Sequence, residues 1–248
     1  MEGTRRSLLI GMSAAAFSRE VSVPDAPPRF VEISHVIEPR MVTYPGLPVP
    51  EVEVIVDHDS SRERYQNKSE FLIASLHLCG NTGTYVDSPL HRYRGATDLA
   101  ALPLERLAHL PVRVFDARTA GRSVGPELFQ DVDLRGAAVL VRTDFSQHWR
   151  TERYGRDNPF LTADACDLLV RSGAAFVGID SLNIDDMADL ARPAHTILLG
   201  AGIPVCEHMT NLAALSKDGG RLHAVPIAWR GGATFPVRAY VQFSAETD

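Results

Sequence analysis

Two strand-length apolar runs, Ala137–Val141 and Ala174–Ile179, constrain the fold of this 248-residue chain more than any other feature. A strand that is apolar at nearly every position, rather than at every second one, must be covered on both faces. Between the two runs, Thr162 to Arg171 reads as an amphipathic helix, with Thr162 as N-cap, Asp164 in its first turn and Gly173 just past its end. Buried strands joined through a helix indicate an α/β domain.

Elsewhere strands outnumber helices. Alternation and β-branching predict strands over Phe30–Val36, Glu51–Val56, Phe71–Leu78, Val112–Phe115, Ile203–Cys206, Leu222–Ile227 and Pro236–Phe243. Only Leu99–Leu107 and His208–Leu215 add short helical segments. This balance favours a mixed sheet with few helices over a doubly wound parallel sheet. Residues 30–248 are expected to form one domain, a size that supports a single large core.

Residues 1–29 read as a leader followed by the Pro-rich linker Pro24–Pro28. Arg5 and Arg6, the short apolar stretch Leu8–Ile10 and Ala14–Ala16 resemble a twin-arginine export signal. A cytoplasmic location is the first expectation, and export through this leader is the alternative. No apolar run approaches the roughly 20 residues that span a bilayer, so no membrane partner is expected.

A net charge of -6 gives no electrostatic footprint for nucleic acid, which leaves small molecules as the expected partners. Cys79, Cys166 and Cys206 lie far apart without CxxC spacing, and neither a disulfide framework nor a structural zinc site is indicated.

Chemistry concentrates in two regions. The first is Asn81-Thr-Gly-Thr-Tyr-Val-Asp-Ser-Pro-Leu-His91. Read as a strand, it places Asn81, Gly83, Tyr85 and Asp87 on one face, and Pro89 then ends the strand and delivers His91 at the mouth of the cleft. The second comprises Asp180-Ser-Leu-Asn-Ile-Asp-Asp186, then Arg192-Pro-Ala-His195, then Glu207-His-Met-Thr-Asn211. Asp87, His195 and Glu207 are the oxygen and nitrogen donors a divalent metal requires, with one position left open for water. On the same reading Asp180 and Ser181 line the cleft at a strand end, while Asp185, Asp186 and Asp189 form a solvated face. His77, Cys79 and His208 are substitute ligands on paper, although hydrogen-bonded histidines are the simpler reading. Tyr44 and Trp149 are candidates for an aromatic pocket wall.

From about Val31 to Phe243 the chain resembles the bacterial cyclase and kynurenine formamidase superfamily, whose motif is H-x-G-T-H-x-D-x-P-x-H. The resemblance rests on the GTxxDxPxH core of the first region. Ile33–His35, Tyr44–Gly46, His148–Trp149, Gly178–Ser181 and the pair His195 and Glu207 extend it. It implies a swivelling β/β/α domain, usually assembled as a homodimer or homotetramer. It also implies an arylformamidase-like hydrolase acting on non-peptide C–N bonds of small aromatic or cyclic amides, lactams or esters, as in tryptophan catabolism. By the same resemblance Asp87, His195 and Glu207 hold zinc or manganese and His91 is the acid/base group. Asn81 and Tyr85 stand where the family has ligand histidines, which argues against two metals. The alternative is a metal-independent cyclase, dehydratase or isomerase using His91 and Tyr85 as acid/base groups.

Overall fold

The computed structural model describes residues 28–215 and 219–244, so the twin-arginine-like segment lies outside the described residues. Its early strands are β1 (Arg29–Glu32), β2 (Glu51–Val56), β3 (Ile73–His77), β4 (Tyr85–Asp87), β5 (Ala108–Asp116), β6 (Ser123–Val124) and β7 (Ala138–Arg142). Later ones are β8 (Phe160–Leu161), β9 (Phe176–Ile179), β10 (Val205–Glu207), β11 (Gly220–His223), β12 (Thr234–Pro236) and β13 (Tyr240–Phe243). The α-helices are α1 (His58–Arg64), α2 (Ala163–Arg171) and α3 (Pro193–Gly200).

Nine strands form one mixed sheet in the order β1-β13-β11-β5-β7-β9-β10-β4-β12. Its centre, β5-β7-β9-β10, is parallel, and both flanks are antiparallel. The apolar runs occupy β7 and β9, as double-sided burial requires. Val139, Val141, Val177 and Ile179 face Cys166 and Leu169 of α2 and Leu198 and Leu199 of α3. Ala138, Leu140 and Phe176 pack on the opposite face with Val31, Leu222, Val237 and Val241 from the curled antiparallel flank. The result is the expected single swivelling β/β/α arrangement with a mixed sheet and few helices.

Thr162 caps α2 by accepting the Ala165 N–H at 3.2 Å, as the sequence indicates. Two expected helices are absent. Leu99–Leu107 contains only a 3-10 turn at Leu104–Arg106, and His208–Leu215 only one at Leu212–Ala214. His208 and Asn211 both adopt left-handed backbone (φ 54° and 56°), which no continuous α-helix tolerates. Pro236–Phe243 divides into β12 and β13 rather than forming one strand.

β2 and β3 form a separate antiparallel hairpin, with Val52 opposite Leu76 and Val54 opposite Ala74. The period of two places Val52, Val54 and Leu76 on one face, yet each is about half exposed.

Candidate functional site

The site is built on the register of β4 between β10 and β12. Tyr85 lies opposite Glu207, and Asp87 lies opposite both Val205 and Thr234. Directly paired residues point to the same side, so Tyr85, Asp87, Glu207 and Thr234 share the face on which Val205 meets the helical core. Val86 and Cys206, one position out of phase, enter the other core. Alternation alone therefore aims two carboxylates and a phenol toward α3, and α3 carries His195.

The expected strand over the whole of 81–87 is shorter than the period suggested. Only Tyr85–Asp87 is strand, because Gly83 adopts left-handed backbone (φ 63°) and turns the chain. Its N–H donates to Thr43 Oγ1 at 2.9 Å. Thr84 Oγ1 donates to the His208 carbonyl at 2.6 Å and accepts the His35 N–H at 3.0 Å, which fixes the loop to both flanking segments. The Gly-Thr pair is thus structural, and Asn81 arrives by a turn rather than by alternation. Gly80 lies so close to β12 that a Cβ there would collide with Thr234. Beyond β4, a 3-10 turn at Pro89–His91 leaves His91 exposed at the cavity mouth, as Pro89 suggested.

His195 is held from behind. Its Nδ1 lies 2.6 Å from Asp185 Oδ2, and the same carboxylate accepts the backbone N–H groups of Ala194 at 2.6 Å and His195 at 3.2 Å. Asp185 therefore caps α3 and orients its histidine at once. This corrects the reading of Asp185 as part of a solvated face, because its side chain is fully buried. His195 Nε2 then points to Asp87 Oδ2 at 3.5 Å and Glu207 Oε1 at 3.6 Å, ion-pair contacts longer than hydrogen bonds. Burial disfavours the imidazolium, but Glu207, Asp185 and Asp87 outweigh it and push the His195 pKa up to about 10.

Glu207 is fully engaged. Oε1 accepts the Ile184 N–H at 2.7 Å and Oε2 accepts the Tyr85 hydroxyl at 2.5 Å. Burial raises its pKa, with His195 opposing. Tyr85 is buried beside Glu207 and Asp87, and burial first and these carboxylates second hold its phenol well above the usual range. Tyr44 donates to the Leu182 carbonyl at 2.5 Å and accepts from Asn183 at 3.0 Å.

These residues fit one divalent cation. Both Asp87 carboxylate oxygens are buried without a hydrogen-bond partner, an arrangement that is costly unless a cation or donor satisfies them. One donor atom each from Asp87, His91 and His195 lie within 4.8 Å of one another, and Glu207 meets this triad through its 3.6 Å contact with His195 Nε2. The two altered ligand positions are otherwise engaged. Asn81 Oδ1 accepts from Thr234 Oγ1 at 3.1 Å and the Tyr85 hydroxyl is committed to Glu207.

A cavity of about 390 Å³ opens over this cluster and is lined by Asn81, Tyr85, His91, His195 and Glu207, with Tyr44 and Leu47 among its walls. Ser181, an expected cleft residue, is not among the lining side chains. It is fully buried and its hydroxyl donates to the Pro159 carbonyl at 2.7 Å. Asp180 is likewise structural, accepting from the Thr143 N–H and hydroxyl and from the Asp144 N–H. Trp149 stacks on His35 instead of lining the cavity, whereas Tyr44 does line it. His77 bonds Ser75 on exposed β3, and the chain leaves that strand and turns at Gly80 before Asn81. His208 contacts Tyr154 through Nδ1 at 2.9 Å, and burial pushes its pKa down to about 3. The substitute-ligand reading of both histidines has no support in this geometry. Asn183 and Arg192 from the second polar region also line the cavity, and so does Arg92, which sequence reasoning missed. Arg92 directly follows His91, and that adjacency was the available signal.

The Cyclase family model matches residues 31–186. The kynurenine formamidase of Salinibacter ruber is 30% identical over 215 residues, covering 86% of this chain and 96% of that protein. The kynurenine formamidase of Bacillus mycoides is 26% identical over 215 residues, covering 86% and 97%. Among solved structures, an isatin hydrolase bound to the product analogue thioisatinate superposes with a TM-score of 0.74 at 22% identity, covering 88% of this chain and 93% of that one. A potential metal-dependent hydrolase with cyclase activity gives 0.71 at 22% identity, covering 90% and 100%.

Proposed function

The chain belongs to the cyclase family, and from that premise we propose that it is a metal-dependent hydrolase of a C–N bond in a small aromatic or cyclic amide, arylformamidase-like in its chemistry. The observation that carries the metal is the pair of buried Asp87 oxygens that lack a hydrogen-bond partner and face the Nε2 of His195. In this reading Asp87, His195 and Glu207 hold one zinc or manganese ion. When bound, such an ion supplies Lewis acidity toward a carbonyl and toward water.

The chain's own groups do the rest. Asp185 accepts the Nδ1 proton of His195 and so leaves Nε2 as the nitrogen that gives up its proton and would hold the ion. The Ile184 N–H and the Tyr85 hydroxyl fix the two oxygens of Glu207. His91, exposed at the mouth and with its ring 5.6 Å from that of His195, protonates the departing nitrogen. Tyr44 and Leu47 wall the cavity against the ring of the substrate.

The metal-free alternative needs Tyr85 as an acid/base group. Its proton is committed to Glu207 and its pKa lies well above the usual range, which favours the metal-dependent reading. The same proposal includes self-association, with a second copy covering the apolar face of the β2–β3 hairpin. A lone two-stranded hairpin is marginal in water, and three apolar side chains on one exposed face call for a matching apolar surface.

The test is hydrolysis of formanilide-type amides by protein as purified, after exhaustive chelation, and after zinc or manganese is returned. Activity lost and then restored supports the reading. Unaltered activity after complete metal removal contradicts it.

A further inference from the structure

The antiparallel flank carries a second pair of metal-ligating side chains, remote from the cavity. His109 lies in β5 and His223 in the neighbouring β11, and in the sheet β7 and β9 stand between β5 and β10 of the carboxylate cluster. The strand register shows how the two histidines meet. Leu222 pairs with Leu110, but the next residue, His223, pairs with Ala108 rather than with His109. His109 is therefore the extra residue of a β-bulge, and its backbone is left-handed (φ 57°). Strain of this kind persists where the surrounding structure over-determines it, and ligand clamps are among the places it gathers. Leu110 and Leu222 point into the core, so alternation turns His223 to the outer face of the flank. The bulge keeps His109 beside it, with the two imidazole rings edge to face and their centres 6.1 Å apart.

The His223 ring is prepared as a ligand. Tyr240 stacks on its face at 4.9 Å with the planes 9° apart, which fixes its orientation. The Gln242 side chain hydrogen-bonds the ring, and Nε2 is closed off from solvent without a hydrogen-bond partner, so the Gln242 bond falls to Nδ1. With the proton on Nδ1, Nε2 keeps a lone pair that meets no donor, an arrangement that is costly for a buried acceptor unless a Lewis acid or a proton satisfies it. Burial first and His109 second hold the His223 pKa below the usual histidine range, so the ring is neutral near pH 7. His109, in contrast, is exposed and free to turn its ring toward a shared ion.

The spacing suits one ion between the rings. A metal–imidazole bond is about 2.0–2.1 Å, so two imidazoles that share an ion hold their ring centres about 5–6.5 Å apart. Among the described residues no aspartate, glutamate or cysteine joins the pair as a third ligand, which leaves the remaining positions to water. Two nitrogens fall short of the closed set that structural zinc requires, whereas the cupric ion heads the affinity order of the divalent first-row metals and accepts a tetragonal set of nitrogen and water ligands. We propose that His109 and His223 form a cupric-ion site that clips β5 to β11 across the bulge, separate from the Asp87, His195 and Glu207 cluster. The ion stays divalent throughout and replaces no proton on Nδ1 of His223.

Two measurements test it. In the first, Cu2+ is titrated into protein equilibrated with zinc and desalted, and the electron paramagnetic resonance spectrum and the zinc released are recorded on the same samples of wild type, His109→Asn and His223→Gln. Asparagine suits the left-handed backbone at 109, and circular dichroism confirms that both variants are folded. The wild type is expected to give a tetragonal spectrum with superhyperfine splitting from two imidazole nitrogens and to keep its zinc. Loss of a supporting partner alone lowers metal affinity by about 10- to 100-fold, so loss of either ligand is expected to weaken copper binding by at least that much. Copper that displaces zinc one for one, a spectrum with a single nitrogen, or an affinity unchanged in either variant overturns the site. The second measurement is amide hydrogen exchange. Protection of the β5–β11 ladder is expected to rise with copper in the wild type and in neither variant, and unchanged protection in copper-loaded wild type overturns the clip. Both readouts are independent of amide hydrolysis, so they stand or fall apart from the hydrolase reading.

Discussion

Replacing Asp185 with asparagine tests how the His195 ligand is prepared. The carboxylate accepts three donors, the N–H groups of Ala194 and His195 and Nδ1 of the His195 ring. Asparagine retains one acceptor oxygen, which can still serve the Ala194 N–H. The new NH2 group then occupies the place of Oδ2 and faces two donors, the His195 N–H and Nδ1–H. Losing a buried charge-assisted bond costs about 1.5–3 kcal/mol of stability. The ring is also released to the neutral tautomer that keeps its proton on Nε2, so the nitrogen that would hold the ion is no longer the one freed by deprotonation. Loss of such a supporting partner lowers metal affinity by about 10- to 100-fold. Calorimetric titration of chelator-stripped protein with zinc or manganese, alongside denaturant unfolding of the metal-free form, reads both effects. A variant that loses the stability but binds metal as tightly as the wild type would refute the orienting role and leave Asp185 as a helix cap only.

Three further outcomes are expected. His91→Ala should retain its metal while kcat falls by about 10²- to 10⁴-fold, as for loss of a general acid, and loss of the metal in this variant would instead make His91 a ligand. Val54→Glu with Leu76→Glu should convert an oligomer to a monomer in sedimentation velocity with the fold intact by circular dichroism, and an unchanged sedimentation coefficient would remove the hairpin from the interface. His208 is buried neutral with its pKa pushed down to about 3 by burial, below its unfolded value near 6.5. The unfolded chain therefore binds the extra proton first, and stability falls as pH drops below about 6.5, by up to about 1.4 kcal/mol per unit from this residue. His208→Asn, which suits the left-handed backbone there, should flatten that slope in denaturant titrations between pH 6.5 and 4.5.

Where the sequence was informative, the physics was local. Ala137–Val141 and Ala174–Ile179 announce double-sided burial, Thr162 caps its own helix, and alternation within 85–87 aims Tyr85 and Asp87 together. The helix that delivers His195 was missed because its cap comes from Asp185, several residues upstream, and Arg192 at the capping position gives no such signal. Asp185 itself looked like one of several surface aspartates, since only the tertiary fold distinguishes it from Asp186 and Asp189. Ser181 failed in the opposite direction. It follows a strand end, where cleft residues are common, but its hydroxyl turns away to the Pro159 carbonyl. Asn81 and Tyr85 could be identified as altered ligand positions, while the new commitments of their polar atoms, to Thr234 and Glu207, depend on cross-strand register.

The central claim is that Asp87, His195 and Glu207 hold a single divalent ion on which C–N hydrolysis depends. Titrating metal-stripped protein with zinc or manganese, while recording bound metal and amide hydrolysis on the same samples, tests it most directly. The account predicts saturation near one ion per chain, activity rising in proportion to occupancy, and loss of both in Asp87→Ala. Two ions per chain, or full hydrolysis at zero occupancy, would contradict it.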